Sequence, residues 1–163
     1  MKHNLKDLIE YASANAEAIF RRQGEFLPMW HAVTADGEAF VMMCPEFLDD
    51  KDAGIAIVKR AFEEEDAEAY VFISEAWVLE ARRDFSDEAI RKAMRAGLGN
   101  HPDRREVLAF MAENRDGEMQ SARRYILRPE NSKPTLAPLM LDEMSKVTET
   151  SGRLTGLLKA RVR

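Results

Sequence analysis

The sequence predicts an α+β domain built on a mostly antiparallel sheet of about five strands, with helices packed on the sheet. Two observations support this fold class. Segments with apolar residues at three- and four-residue intervals alternate with β-rich segments in the order αββαβαββ, followed by a tail helix. Two Asp-Gly steps, Asp36-Gly37 and Asp116-Gly117, mark the turns of two β-hairpins on either side of a central strand.

Three amphipathic helices are predicted ahead of the tail, because each segment repeats apolar residues at helical spacing. The first spans Leu5–Phe20. The second follows Asp49 or Asp50, whose side chains can accept hydrogen bonds from the first N–H groups of a helix. The third begins after Ser86 and ends at Gly97, a residue type that favours helix ends.

The first hairpin turns at Asp36-Gly37, between two β-rich runs. With Ala35 paired to Glu38, strand alternation places His31 and Cys44 on the same face. Neither face of this hairpin is polar, so we expect both to be covered.

A central strand is predicted over Ala69–Ala81, and a second hairpin pairs Arg105–Glu113 with Met119–Arg128. The central strand is apolar on both sides, like the first hairpin. Such a sheet needs cover on both faces, from the helices and the tail or from another subunit. The segment Pro129–Pro138 contains three prolines and is predicted as a connector or an edge segment.

We predict one domain over residues 1–141 and a basic tail over residues 142–163. Apolar residues in the tail lie at near-helical spacing, although Gly152 and Gly156 weaken the helix. The predicted tail helix therefore needs a surface to pack against.

Charge is distributed unevenly along the 163 residues, whose net charge is −5. Residues 46–68 contain nine acidic and three basic residues, residues 82–128 contain eleven basic and eight acidic ones, and residues 153–163 contain four basic ones and no acid. An acidic domain binds polyanions poorly, so we expect no nucleic-acid ligand. Without a signal peptide or a run of about 20 apolar residues, we expect a cytoplasmic protein that does not contact a membrane.

Three residues are the candidates for acid–base catalysis. Glu75 lies in phase with apolar residues of the central strand, where a desolvated carboxylate can act as a general acid or base. His101 and Asp103 occupy a turn before a strand, the kind of loop in which sites occur. The alternatives are an ion pair between Glu75 and an arginine, and capping of the turn by Asp103.

His31 and Cys44 share a predicted face and are the candidates for a metal or thiolate site if Glu75 or His101 lies near them. The alternative is a histidine and a thiol buried in the core. The sequence contains no local zinc-binding motif, phosphate loop or nucleophile elbow, so we expect no metal and no cofactor. A single cysteine excludes an intramolecular disulfide.

Two basic segments are candidate interaction surfaces. Arg123 and Arg128 lie on the second hairpin, where they would bind phosphate or an acidic partner, or else form cross-strand ion pairs with neighbouring glutamates. The tail combines basic and apolar residues that suit an acidic groove, including residues 46–68 of a neighbouring copy. Its candidate residues are Arg153, Leu154, Leu157 and Leu158.

A series of short motifs resembles a group of uncharacterised small proteins from bacterial and phage genomes. The motifs are Ser74-Glu75-Ala76-Trp77, His101-Pro102-Asp103-Arg104-Arg105-Glu106-Val107, Arg115-Asp116-Gly117 and Arg128-Pro129. The resemblance covers residues 69–138. No activity is known for that group, so the resemblance implies a compact module, linked to bacteria or prophages, and assigns no catalytic residue.

The sequence therefore favours a non-catalytic protein-interaction or self-assembly module, which binds a protein partner or forms a homo-oligomer. The alternative is a small enzyme or ligand-binding protein with a pocket near Glu75 and His101. An interaction module needs an exposed apolar surface, whereas the alternative needs Glu75 and His101 within reach of each other in a cleft.

Overall fold

A computed structural model describes residues 3–79, 86–97, 101–146 and 154–158, and it has the predicted α+β fold. The described residues form four helices, α1 (Leu5–Gln23), α2 (Glu46–Asp49), α3 (Lys51–Glu64) and α4 (Asp87–Ala96). The longer strands are β1 (Met29–Thr34), β2 (Ala39–Met43), β3 (Ala67–Val78), β4 (Arg105–Asn114) and β5 (Glu118–Leu127). Three two-residue strands follow, β6 (Thr135–Leu136), β7 (Met140–Leu141) and β8 (Ser145–Lys146).

The strands form one antiparallel sheet in the order β2-β1-β3-β4-β5-β6, and β7 and β8 also pair with β5. The five longer strands were predicted, but the predicted strand number and order are incomplete. A two-residue strand is too short to leave a periodic pattern in the sequence. The edge role predicted for Pro129–Pro138 is confirmed by the pairing of β6 with β5.

The chain itself supplies cover for both faces of the sheet. On one face, α1 packs residues such as Ile9 against Phe110 of β4 and its neighbours. On the other face, Phe62 of α3 packs in a second core with Tyr70 of β3 and with Leu157 from the tail. No helix among the described residues has the length and apolarity that a bilayer crossing requires.

The helix ends follow signals in the sequence. Asn4 caps α1 by accepting a hydrogen bond from the Lys6 N–H, and Gly24 ends this helix with a left-handed φ of 72°. Ser86 caps α4 by accepting a hydrogen bond from the Ala89 N–H, as predicted. Side-chain caps and glycine thus set these boundaries locally.

The predicted register of the first hairpin is wrong by one residue. Val33 pairs with Ala39 and Thr34 bonds to Glu38, which leaves a three-residue turn, whereas the prediction pairs Ala35 with Glu38. Gly37 adopts a φ of 93° within this longer turn. The one-residue difference turns every side chain of β2 to the opposite face of the sheet.

The second predicted helix corresponds to α3, and a short helix that was not predicted, α2, precedes it and meets it at a corner. Asp50, one of the two predicted caps, accepts hydrogen bonds from the N–H groups of Asp52 and Ala53 and so begins α3. The corner places Phe47 of α2 in the second core.

The predicted tail helix is absent from the described part of the tail. Ser145–Lys146 pairs with β5, and residues 154–158 are not helical. Gly156 has a φ of 68°, and its N–H donates a hydrogen bond to the Glu113 side chain instead of to a helical carbonyl. Residues 147–153 and 159–163 lie outside the described residues.

Candidate functional site

The outer edge of the sheet at β2 has no neighbouring strand in the described structure. None of the five residues of this strand is charged, proline or glycine. Val41 and Met43 are 57% and 49% exposed. We call the outward-facing backbone and exposed side chains of residues 39–43 the β2 edge. An apolar strand edge of this kind is a template for pairing with another chain.

The β2 edge also presents hydrogen-bonding groups of the backbone. The Thr34 N–H of β1 donates to the Glu38 carbonyl over 2.8 Å. Bonded pairs alternate along an antiparallel ladder, so the even-numbered residues of β2 bond to β1. Ala39, Val41 and Met43 therefore direct their N–H and C=O groups outward, where no described residue pairs with them.

The opposite edge of the sheet is protected. Beyond β5, the chain forms three two-residue strands, and Pro134 and Pro138 interrupt their pairing. Short strands and proline are common devices against edge-to-edge association. The β2 edge has neither, which distinguishes it as the candidate functional site.

His31 lies in β1 directly opposite Val41 and is only 4% exposed. Its Nε2 atom has no hydrogen-bond partner among the described residues. Burial lowers the pKa of the imidazole, so the ring is neutral at pH 7. His31 is thus a buried, uncharged side chain in the strand next to the β2 edge.

The prediction that His31 and Cys44 share a face is wrong, because the register of β2 differs by one residue. His31 lies on the α1 side, whereas Cys44 lies in the second core with Trp30. The Cys44 thiol contacts the Gly54 carbonyl oxygen at 3.7 Å, and burial raises the pKa of this thiol. The described residues contain no cluster of three or more potential metal ligands.

A cleft of about 240 Å³ opens beside Glu75 at the end of β3. Its lining residues are Glu75, Ala76, Trp77, Glu106 and Ile126. The Glu75 side chain is exposed instead of desolvated, and its Oε1 accepts a hydrogen bond from the Phe26 N–H over 2.8 Å. The Arg104 guanidinium lies 4.2 Å from the centroid of the Trp77 ring and makes a cation–π contact with this lining residue.

His101 does not belong to the described lining of this cleft. Its Nδ1 accepts a hydrogen bond from the Asp103 N–H over 3.1 Å, so the imidazole caps the turn. The predicted alternative gave this capping role to Asp103. No described hydrogen bond joins His101 to Glu75, although catalysis by this pair requires such proximity.

The predicted basic residues of the second hairpin carry ion pairs. Arg128 binds Glu106 through two hydrogen bonds of 2.6 and 3.1 Å, which raise the pKa of the guanidinium. Arg123 pairs with Asp142 at 3.1 Å. Arg128 thus forms the expected cross-strand ion pair with a glutamate, whereas Arg123 pairs with an aspartate beyond the hairpin, and the charge of both is partly neutralised within the chain.

The apolar candidates of the tail pack against the chain itself. Leu157 is 2% exposed, and Leu154 and Leu158 are half-buried against the second core. This core includes Val58 and Phe62, which belong to the acidic segment 46–68. The groove predicted for the tail is therefore filled in the same copy. Arg153 lies outside the described residues.

A buried polar cluster around Glu113 was not predicted from the sequence. Glu113 is buried, and its Oε2 accepts hydrogen bonds from the Tyr70 hydroxyl over 2.8 Å and from the Gly156 N–H over 2.9 Å. Burial raises the pKa of the Glu113 carboxyl and raises the pKa of the Tyr70 hydroxyl well above its ordinary value. The only signal in the sequence is an acid in phase with the apolar residues of β4. The cluster fastens the tail to the sheet.

Comparison with protein-family models, curated proteins and solved structures gave no significant match. The function is therefore argued from the geometry of the molecule.

Proposed function

We propose that this protein is an interaction module that takes up an extended segment of a partner protein as an additional strand beside β2. The single observation that carries the proposal is the unprotected β2 edge in a sheet whose opposite edge is protected. A bound strand would hydrogen-bond to residues 39, 41 and 43 and cover the exposed Val41 and Met43 side chains.

The other interaction candidates that the structure describes already have partners within the chain, and this supports the choice of the β2 edge. Leu157 is buried in the second core, and Arg123 and Arg128 have carboxylate partners. At the β2 edge, by contrast, no described residue pairs with the outward hydrogen-bonding groups, and Val41 and Met43 are exposed.

Amide hydrogen exchange tests the proposal. It is measured on the complex of the protein with its partner, isolated from the cells that express the protein, and on the protein alone. We expect slowed exchange at the amides of Ala39, Val41 and Met43. Val41→Pro removes an outward N–H and leaves the bonds between β1 and β2 intact, so this variant should fold and lose the complex. Val41→Thr keeps the N–H and the β-branched shape, so this control variant should retain the complex. Equal recovery with Val41→Pro would show that the β2 edge is not the site.

A second candidate function is the binding of a small ligand in the cleft beside Glu75. The cleft contains the exposed Glu75 carboxylate and the partly exposed Trp77 ring, where a small cationic group would bind Glu75 and compete with Arg104 for the ring. Titration with small amines, followed by Trp77 fluorescence, tests this candidate. Saturable quenching that is lost in Glu75→Gln would support it, and a signal unchanged in that variant would exclude a role for Glu75.

A further inference from the structure

We infer that the partner segment is an apolar strand with basic residues at both of its ends; this inference rests on the proposed strand addition at β2. Acidic residues flank β2 in the chain on both sides. Asp36 and Glu38 precede the strand, and Glu46, Asp49 and Asp50 follow it. All five are exposed.

These carboxylates have no ion-pair partner among the described residues. Asp36 accepts a hydrogen bond from the Thr34 hydroxyl, and Asp50 accepts N–H bonds at the start of α3. Glu46 contacts the Cys44 thiol at 3.5 Å. No ion pair among the described residues therefore neutralises these carboxylates, in contrast to the paired arginines of the second hairpin.

The two acidic groups bracket an uncharged strand of five residues. At about 3.3 Å per residue, a partner strand that covers residues 39–43 places its next residues beside the acidic segments that flank β2, 36–38 on one side and 44–46 on the other. Lysine or arginine at those positions would gain electrostatic attraction, whereas acidic residues would be repelled.

The same charges disfavour a second copy of this chain as the occupant. Antiparallel self-pairing centred on Val41 would place Glu38 of one copy opposite Cys44 of the other, next to Glu46. Acidic residues of the two copies would then lie close together at both ends of the paired strands, and their repulsion opposes self-pairing. A basic strand has no such penalty.

A synthetic peptide tests the inference. The probe is Lys-Arg-Val-Thr-Val-Thr-Val-Arg-Lys, blocked at both ends, and its matched control has glutamate in place of all four basic residues. Isothermal titration with the full chain should show binding of the basic probe that is at least about tenfold tighter, with a difference that shrinks at about 0.3 M salt. Glu38→Gln combined with Glu46→Gln should weaken the basic probe several-fold. Glu130→Gln combined with Glu143→Gln, which removes the same charge near the opposite edge, should leave binding unchanged.

Each contrary outcome has a separate meaning. Equal binding of the basic and acidic peptides overturns the inference and leaves strand addition in place. N-methylation of the basic probe at alternate residues removes the N–H groups that a paired strand donates. If this peptide binds as tightly as the unmethylated probe, strand addition is overturned as well. No binding by any peptide overturns the inference, and the exchange experiment on the native complex then decides the proposed function. A dimer in light scattering that Val41→Pro abolishes would identify a second copy as the occupant and overturn the inference.

Discussion

The neighbouring Arg123 and Arg124 have opposite roles because successive side chains of a strand point to opposite faces. Arg123 makes one ion pair at the surface. Arg124 is buried on the α1 side, where it donates hydrogen bonds to Glu17 over 2.9 Å and to the Ala137 carbonyl over 2.7 Å. The Arg124 hydrogen bond lowers the pKa of the Glu17 carboxyl. Arg124 therefore joins α1, β5 and the segment after β6.

Replacement of Arg124 should cost far more stability than replacement of its neighbour. We expect Arg124→Met to lower the free energy of unfolding by about 2–3 kcal/mol, because buried acceptors lose their donors. Arg123→Met should cost less than about 1 kcal/mol, as is usual for an exposed ion pair. Urea denaturation of both variants measures the difference, and equal losses would contradict the role assigned to Arg124.

The buried Glu113 carboxyl should make stability depend on pH. Its pKa is raised in the folded state, so its contribution is most favourable below the ordinary value of 4.5 and is lost as the pH rises through the folded pKa. Glu113→Gln removes this titration. We therefore expect the stability of the wild type relative to Glu113→Gln to decrease between about pH 4 and pH 7. Urea denaturation at both values measures it, and a constant difference would contradict the prediction.

At the scale of elements, the two edges of the sheet and the corner between α2 and α3 depend on particular residue types. Prolines and very short strands protect the β5 edge, whereas β2 is uninterrupted and uncharged. At the corner, Gly54 lies against the backbone of Phe47, and a Cβ at Gly54 would come within 2.6 Å of the Phe47 Cβ. Glycine is therefore required for the close approach of the two helices.

Gly54→Ala should destabilise the protein although alanine favours helices. We expect a loss of about 1–3 kcal/mol, because the added methyl group must push α2 and α3 apart. Ile57→Ala, at an exposed position of α3, should change stability by less than about 0.5 kcal/mol. Thermal denaturation of both variants provides the measurement. A Gly54→Ala variant as stable as the wild type would show that the corner adapts freely.

At the scale of the whole molecule, the tail completes the second core from a distant part of the chain. Leu157 packs with Phe62 and Tyr70, and the Gly156 N–H satisfies the buried Glu113. The second core is therefore covered within one chain, whereas the apolar β2 edge has no partner strand among the described residues.

Removal of residues 147–163 should expose the second core. We expect the free energy of unfolding to fall by about 2–5 kcal/mol and the binding of a hydrophobic dye to increase. Leu48→Ala, which alters an exposed leucine of α2, serves as the control and should do neither. Unchanged stability of the shortened chain would contradict the structural role of the tail, and unchanged mass in light scattering would exclude a role of the tail in assembly.

Local sequence signals predicted the elements well where side-chain chemistry acts within a few residues. Ser86 and Asp50 cap their helices, and Asp116-Gly117 turns the second hairpin. The first hairpin was predicted with the wrong register, since Asp-Gly fits turns of two and of three residues. Because of that error, His31 and Cys44 were predicted on the same face. The prediction also missed that Val41 and Met43 are exposed on one side of β2, whereas Phe40 and Met42 pack against the second core on the other.

The sequence by itself determined the fold class, the need to cover both faces of the sheet and the uneven distribution of charge, because periodicity and composition record local preferences and burial. Only the tertiary structure decided which edge stays open, that Leu157 fills the second core and that Tyr70 meets Glu113. These features join residues far apart in the chain, and their pairing depends on register and packing, which no local pattern encodes.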